Sequence, residues 1–155
     1  MRLLFVCTHN RCRSILAEAI TRHLAGGKIE VASAGSEPAR SVDPRTFKYL
    51  QARGIDTKGL MSKSWHDLGD FKPTALITLC DSAAGEPCPV VFAAAVKVHW
   101  GIPDPSKLKG SESLTKDAFN ATIDLLSARV ESVLAEDILQ LSDQQLASLL
   151  AKVAN

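Results

Sequence analysis

Apolar positions along the chain fall into two rhythms. Residues 3–6 (LLFV) and 73–79 (PTALITL) are unbroken apolar runs of strand length, the pattern of strands buried on both faces. Residues 28–33 (KIEVAS) and 95–98 read as two further strands, the second being the later part of the apolar stretch 90–98. The other rhythm has helical spacing. It begins at Ile15, Leu16, Ala19, Ile20 and Leu24, which predicts a helix over 14–25 stopped by Gly26 and Gly27. Residues 41–53 form a second helix, with Asp43 as a cap, Pro44 at its first position and Gly54 closing it. A short helix is expected over 64–68, with Trp65 on its inner side. A long helix is expected over 114–139 and a last one over 142–154, capped by Ser142 or Asp143. Residues 81–89 (DSAAGEPCP) read as a flexible loop, and 99–105 (HWGIPDP) as a loop off the last strand.

The order is strand, helix, strand, helix, strand, strand, helix, helix. It predicts a single α/β domain over 1–155 with a four-stranded parallel sheet flanked by helices, because a strand–helix–strand opening favours a parallel crossover. In such a sheet the ligand crevice lies at the carboxyl ends of the strands. Cys7 and Cys80 both follow an apolar strand and both belong at that edge, as does the 99–105 loop.

Residues 3–14 (LLFVCTHNRCRS) carry the clearest chemistry. A strand ends at Cys7 and a helix begins near Ser14, so the turn between them points backbone N–H groups inward. A helix N-terminus with free N–H donors suits an oxyanion, and Arg13 adds a planar fork. Thr8, His9, Asn10, Arg11, Cys12 and Ser14 are the remaining substrate-binding candidates of the cradle. Cys7 sits at its mouth, where Arg13, the helix end and the amides favour thiolate over thiol. Cys7 is therefore the candidate nucleophile, and Ser14 can donate to its sulfur as well as cap the helix. Ser33 and Ser36 either line the loop from behind or serve plain turn chemistry. Cys12 is either a small loop residue or an auxiliary thiol.

Composition narrows the class without choosing a reaction. Of 155 residues 46% are hydrophobic and 23% charged, as in an ordinary globular domain, and the net charge of +1 leaves no basic field for nucleic acid. The longest apolar run, within 89–98, is too short to cross a bilayer, and no leader peptide fits ahead of the first strand. A reducing cytoplasmic compartment is expected, where four cysteines point to catalysis, redox or metal binding rather than a disulfide framework.

Asp104, followed by Pro105 on the catalytic edge, can protonate an oxygen leaving a tetrahedral centre, or can simply form an Asp-Pro turn. His99 offers a second acid or a structural contact, and Trp100 packs beneath the loop. Cys80 and Cys88 decide the reaction class. Cys80 can attack a Cys7 adduct, and Cys88 can attack the resulting disulfide and carry it outward. The alternatives are two unconnected small apolar residues or a metal site, and no further Cys or His spacing supports zinc.

With these pieces in place, the chain resembles the thioredoxin-coupled arsenate reductases of the low-molecular-weight protein tyrosine phosphatase superfamily. The matching pieces are FVCTHNRCRS with Ala17-Glu18, SAG at 33–35, TLCD at 78–81, Cys88-Pro89 and HWGIPDP, reaching to about residue 140. The resemblance implies that Cys7 attacks arsenate held by the loop amides and Arg13, and that Asp104 protonates the leaving oxygen. It implies that Cys80 displaces arsenite, that Cys88 takes over the disulfide, and that thioredoxin, or a glutaredoxin with a small thiol, reduces the Cys80–Cys88 bridge. Asn10 is expected to brace the loop. A role in arsenic detoxification follows.

Several residues depart from that pattern. His9 stands where many relatives have Gly. Arg11 adds a charge that either steers anions or is simply solvated. Some relatives build a potassium site from Asn, Glu, Ser and Asp. Here Asn10, Glu18 and Ser33 match, but Lys63 falls at the Asp, so its ammonium is expected to satisfy Glu18 and Ser33 directly without potassium or any other cofactor. The segment beyond Ser142 is longer than expected and either caps the core or mediates self-association. A tyrosine phosphatase using Cys7, Arg13 and Asp104 is the rival reading. It would want tyrosines after the Asp-Pro, where Ser106, Lys107 and Leu108 stand, and the only tyrosine is Tyr49. A non-catalytic redox or anion sensor is the third.

Overall fold

A computed structural model describes all residues, 1–155. Four strands, β1 (Arg2–Cys7), β2 (Glu30–Gly35), β3 (Ala75–Thr78) and β4 (Val96–His99), form one sheet in the order β2-β1-β3-β4. Every pairing is parallel. The helices are α1 (Arg13–Ala25), α2 (Pro44–Ala52), α3 (Asp81–Ala84), α4 (Glu112–Leu134) and α5 (Asp143–Val153). This is the expected α/β class, with β1 and β3 central and almost wholly buried. Phe5, Leu16, Ile77, Phe119 and Leu126 lie in the core, which joins the sheet to α1 and α4.

The register sets the site. Cys7 pairs with Gly35, Val6 with Thr78, and Thr78 with His99. The chain therefore leaves β1, β3 and β4 at one edge of the sheet, where the anion loop, Cys80 and the 99–105 segment meet.

Three expected boundaries move. The second strand runs two residues further than 28–33, through Ala34 and Gly35, which looked like turn residues. Gly35 is needed there because the anion loop crosses directly over it: a Cβ at Gly35 would lie 2.6 Å from the Thr8 carbonyl oxygen. The segment 81–89 is not a structureless loop. It opens with the one-turn helix α3, whose cap is Cys80, and a 3-10 turn at Val90–Phe92 follows it. The long helix ends at Leu134 rather than 139. The apolar rhythm continues because Ile138, in a separate 3-10 turn at Ile138–Gln140, folds back and is buried.

The C-terminal helix α5 covers the core. It packs against β4, Leu146 and Leu150 are buried, and the Trp100 indole donates to the Leu150 carbonyl at 2.8 Å. Ser142 caps it with a reciprocal capping box to Gln145. No helix is long and apolar enough to cross a membrane.

Candidate active site

The loop from Thr8 to Cys12 joins β1 to α1. Its carbonyls are tied outward: Thr8 O accepts from Glu37 N, His9 O from Ala39 N and Arg11 O from Asp43 N, all at 2.9–3.0 Å. In a trans peptide the N–H points opposite to the C=O. The amides of His9, Asn10 and Cys12 are thereby turned away from those partners, to the inside of the loop. Asn10 holds the tip in the left-handed region (φ 45°), a conformation Asn tolerates better than most residues.

The Asn10 side chain knits the loop from behind. Its Nδ2 donates to Ser14 Oγ at 2.7 Å and to Ser33 Oγ at 3.0 Å, while its Oδ1 accepts from Lys63 N at 2.9 Å. Ser33 in turn donates to Glu18. Ser14 Oγ, already an acceptor from Asn10, is 2.8 Å from Cys7 Sγ, so its hydroxyl proton can be given to the sulfur when Cys7 is a thiolate. Ser36, the other serine considered for this role, has a buried hydroxyl with no partner.

Cys7, Arg13 and Asp104 meet in a cavity of about 180 Å³, whose wall also includes His9, Arg11 and Ser106. Arg13 Nη1 donates to the Ile102 carbonyl at 3.1 Å, and Nη2 is 3.6 Å from Asp104 Oδ2. The other carboxylate oxygen, Oδ1, is held by Ser106 N (2.9 Å) and Oγ (2.6 Å). One oxygen of Asp104 is thus fixed to its own turn, and the other faces the guanidinium and the cavity. Cys12 is buried, and burial pushes its thiol up to about 12, so it stays protonated and unreactive in neutral solution. Arg11 is not merely solvated: its Nη2 pairs with buried Asp43 at 3.0 Å.

Cys80 comes to the same loop from β3. It is buried, and its Sγ is 3.3 Å from Thr8 Oγ1 and 3.4 Å from Ala83 N. Cys88 is half-buried and lines a separate cavity of about 220 Å³ with Thr78, His99 and Lys97. Burial raises its thiol, and the Lys97 ammonium works against that rise. His99 contacts Thr78 Oγ1 (2.8 Å) and Asp81 Oδ1 (2.9 Å), which fastens the start of α3 to β4. All four cysteines are free thiols.

Lys63 does not satisfy Ser33 directly. Its Nζ lies 3.7 Å from Glu18 Oε2, the oxygen that also accepts from Ser33, and the other Glu18 oxygen is paired with Arg22. Arg22 went unnoticed in the sequence, although its place four residues after Glu18 on one helix is a pairing signal. No group of three or more His, Cys, Asp or Glu side chains could hold a metal ion.

A strand-to-helix oxyanion cradle with a thiol at its mouth defines a class, and comparison with known proteins agrees. Residues 2–146 match the family model described as low molecular weight phosphotyrosine protein phosphatase, and the chain belongs to that family. Within it, the chain is 36% identical over 131 residues to an arsenate reductase of Shouchella clausii, covering 82% of this chain and 90% of that one. It is 33% identical over 128 residues to an arsenate reductase of Halalkalibacterium halodurans, covering 83% and 91%. Among solved structures, an arsenate reductase in a phosphate-binding state superposes with a TM-score of 0.71 at 29% identity, over 86% of this chain and 96% of that one. A thioredoxin-dependent arsenate reductase of Corynebacterium glutamicum superposes with a TM-score of 0.69 at 25% identity, over 90% of this chain and 63% of that one.

Proposed function

We propose that this protein is a cytoplasmic arsenate reductase that uses Cys7, Cys80 and Cys88 in turn and is regenerated by thioredoxin or by a glutaredoxin with a small thiol. The observation that carries the reading is the Thr8–Cys80 contact of 3.3 Å, which holds a second thiol against the loop that carries Cys7. Hydrolysis of a phosphate ester needs no such thiol; reduction does.

The steps balance as follows. The Cys7 thiolate attacks arsenic(V) held by the inward amides and Arg13. An arsenic–oxygen bond breaks, and Asp104 gives its proton to the departing oxygen, which leaves as water. Cys80, as thiolate, then attacks the Cys7 sulfur. A disulfide forms, the sulfur–arsenic bond breaks, and its electron pair leaves with arsenic(III) as arsenite. Two thiols have each given one electron. Cys88 next attacks Cys80 and releases Cys7 as thiolate. An external dithiol reduces the Cys80–Cys88 bridge.

The cradle's walls support oxyanions over aryl esters. No aromatic residue other than His9 lines the 180 Å³ cavity, and Tyr49 is buried against Phe119. Any phosphatase activity is therefore weak. The whole chain, 1–155, acts as one unit with α5 as part of its core, and potassium is not required because Lys63 and Arg22 already face Glu18.

The test is NADPH-coupled arsenate turnover with thioredoxin and its reductase. Wild type turns over repeatedly. Cys88→Ser stops after one cycle with a Cys7–Cys80 disulfide detectable by mass spectrometry. Full turnover by Cys88→Ser rejects the relay, and a wild type silent with arsenate but fast with aryl phosphates makes the protein a phosphatase.

A further inference from the structure

Asp-Pro occurs twice in this chain, at 43–44 and 104–105, and in both places the Asp caps the turn that follows it. The two turns are joined. Arg45, at the start of α2, grips Asp43 with both ends of its fork: Nε to Oδ1 at 3.0 Å and Nη2 to Oδ2 at 2.7 Å. The same Nη2 donates to the Ser106 carbonyl at 3.0 Å. Ser106 is the residue whose amide and hydroxyl hold Asp104. On its other side Asp43 Oδ2 accepts from Arg11 Nη2, and Asp43 N donates to the Arg11 carbonyl, both at 3.0 Å. The Arg45 guanidinium rests over the Phe119 ring of α4, 5.7 Å from its centroid.

A continuous path therefore runs from the tip of the anion loop to the acid: Arg11, Asp43, Arg45, Ser106, Asp104. We propose that Arg45 is a positioning residue that locks the loop carrying Asp104 to the loop carrying Cys7 and Arg13, through the buried carboxylate of Asp43. The proposal rests on the reading of Asp104 as proton donor. It assigns to Arg45 and Asp43 a part in the reaction although neither lines the cavity.

The physical need is clear. The acid turn is a three-residue 3-10 segment, Pro105–Lys107, and the Arg45 fork ties its Ser106 carbonyl to the start of α2. A general acid must stay within hydrogen-bond reach of the leaving oxygen, and displacement by about 1 Å can cost about a hundredfold in rate. Capping of α2 does not need Arg45, because Asp43 accepts from the Arg45 backbone amide whatever the side chain is. The Arg45 fork is what reaches both Asp43 and Ser106, and an ammonium lacks that planar, multi-donor geometry.

The discriminating variant is Arg45→Lys, which keeps a positive charge beside Asp43 and loses the fork. Amide hydrogen exchange over 104–108 should quicken by about fivefold or more, while Cys7-loop amides change little and the fold stays intact by circular dichroism. Inorganic phosphate binding should stay within about threefold, and single-turnover arsenate reduction should fall about tenfold or more. The loss should be non-additive: in an Asp104→Asn background, Arg45→Lys should cost less than about twofold. Unchanged exchange over 104–108 overturns the proposal, as does a full additive loss on top of Asp104→Asn. If the wild type reduces no arsenate, the functional reading fails separately, and the exchange measurement alone decides the coupling.

Discussion

Ser14 Oγ lies 2.8 Å from Cys7 Sγ, close enough for its hydroxyl to donate to the Cys7 thiolate. Asn10 donates to Ser14, so the serine hydroxyl is free to donate to the sulfur. Such a bond helps the thiolate and does nothing for a thiol that needs no donor. Hydrogen bonds to charged groups contribute about 1.5–3 kcal/mol, roughly ten- to a hundredfold in rate. Ser14→Ala should therefore slow iodoacetamide alkylation of Cys7 at neutral pH by about tenfold or more, with the fold intact by circular dichroism. Alkylation within about twofold of wild type would remove Ser14 from the activation of Cys7.

Asp43 makes stability depend on pH in a defined window. The Arg45 hydrogen bonds, joined by Arg11, hold its carboxyl at about 2, below the ordinary 3.8. The folded state thus keeps this group ionised where the unfolded chain has already taken up a proton. Its contribution is complete above about pH 4 and is lost as pH falls toward about 2. Asp43→Asn should be less stable than wild type at pH 7, and its stability should decline less steeply than that of wild type below about pH 4. Urea unfolding across pH 2–6 measures both curves, and parallel curves in that range would show that Asp43 is not the group responsible.

Much of this was legible in the sequence, for local reasons. An apolar run, a short polar turn and a helical rhythm specify a cradle between Cys7 and Ser14 without help from the rest of the chain. Asp43 is the expected cap and Ser142, not Asp143, is the one at the last helix, but Ser14 is not a cap: it lies inside α1, whose cap position, Cys12, makes no side-chain bond. What escaped depends on distance or on small size. Helix α3 is one turn long, too short to show a period. Gly35 reads as a turn until the Thr8 carbonyl is known to pass over it. The Arg45–Ser106 contact spans 61 positions, and nothing in either neighbourhood points to the other. Lys63 stood at the expected place, yet Arg22 shares its carboxylate, and a pair four residues apart was the signal overlooked.

That shared carboxylate leads to the last prediction. Glu18 is buried, with Lys63 3.7 Å from one oxygen and Arg22 against the other. One negative charge already faces two positive ones. A potassium ion placed beside Glu18 would meet both, at a repulsion of about 1–4 kcal/mol per unit charge at about 4 Å, depending on how much water screens it. Turnover in potassium chloride should therefore match turnover in sodium chloride at equal ionic strength to within about twofold, the scatter expected of screening alone. Lys63→Asp reverses the balance by replacing an ammonium with a carboxylate next to Glu18. That variant should lose thermal stability in tetramethylammonium chloride and regain part of it in potassium chloride at equal ionic strength, because a small cation then relieves two like charges. Potassium activation of the wild type well above twofold would show that the ammonium does not fill the cation's role.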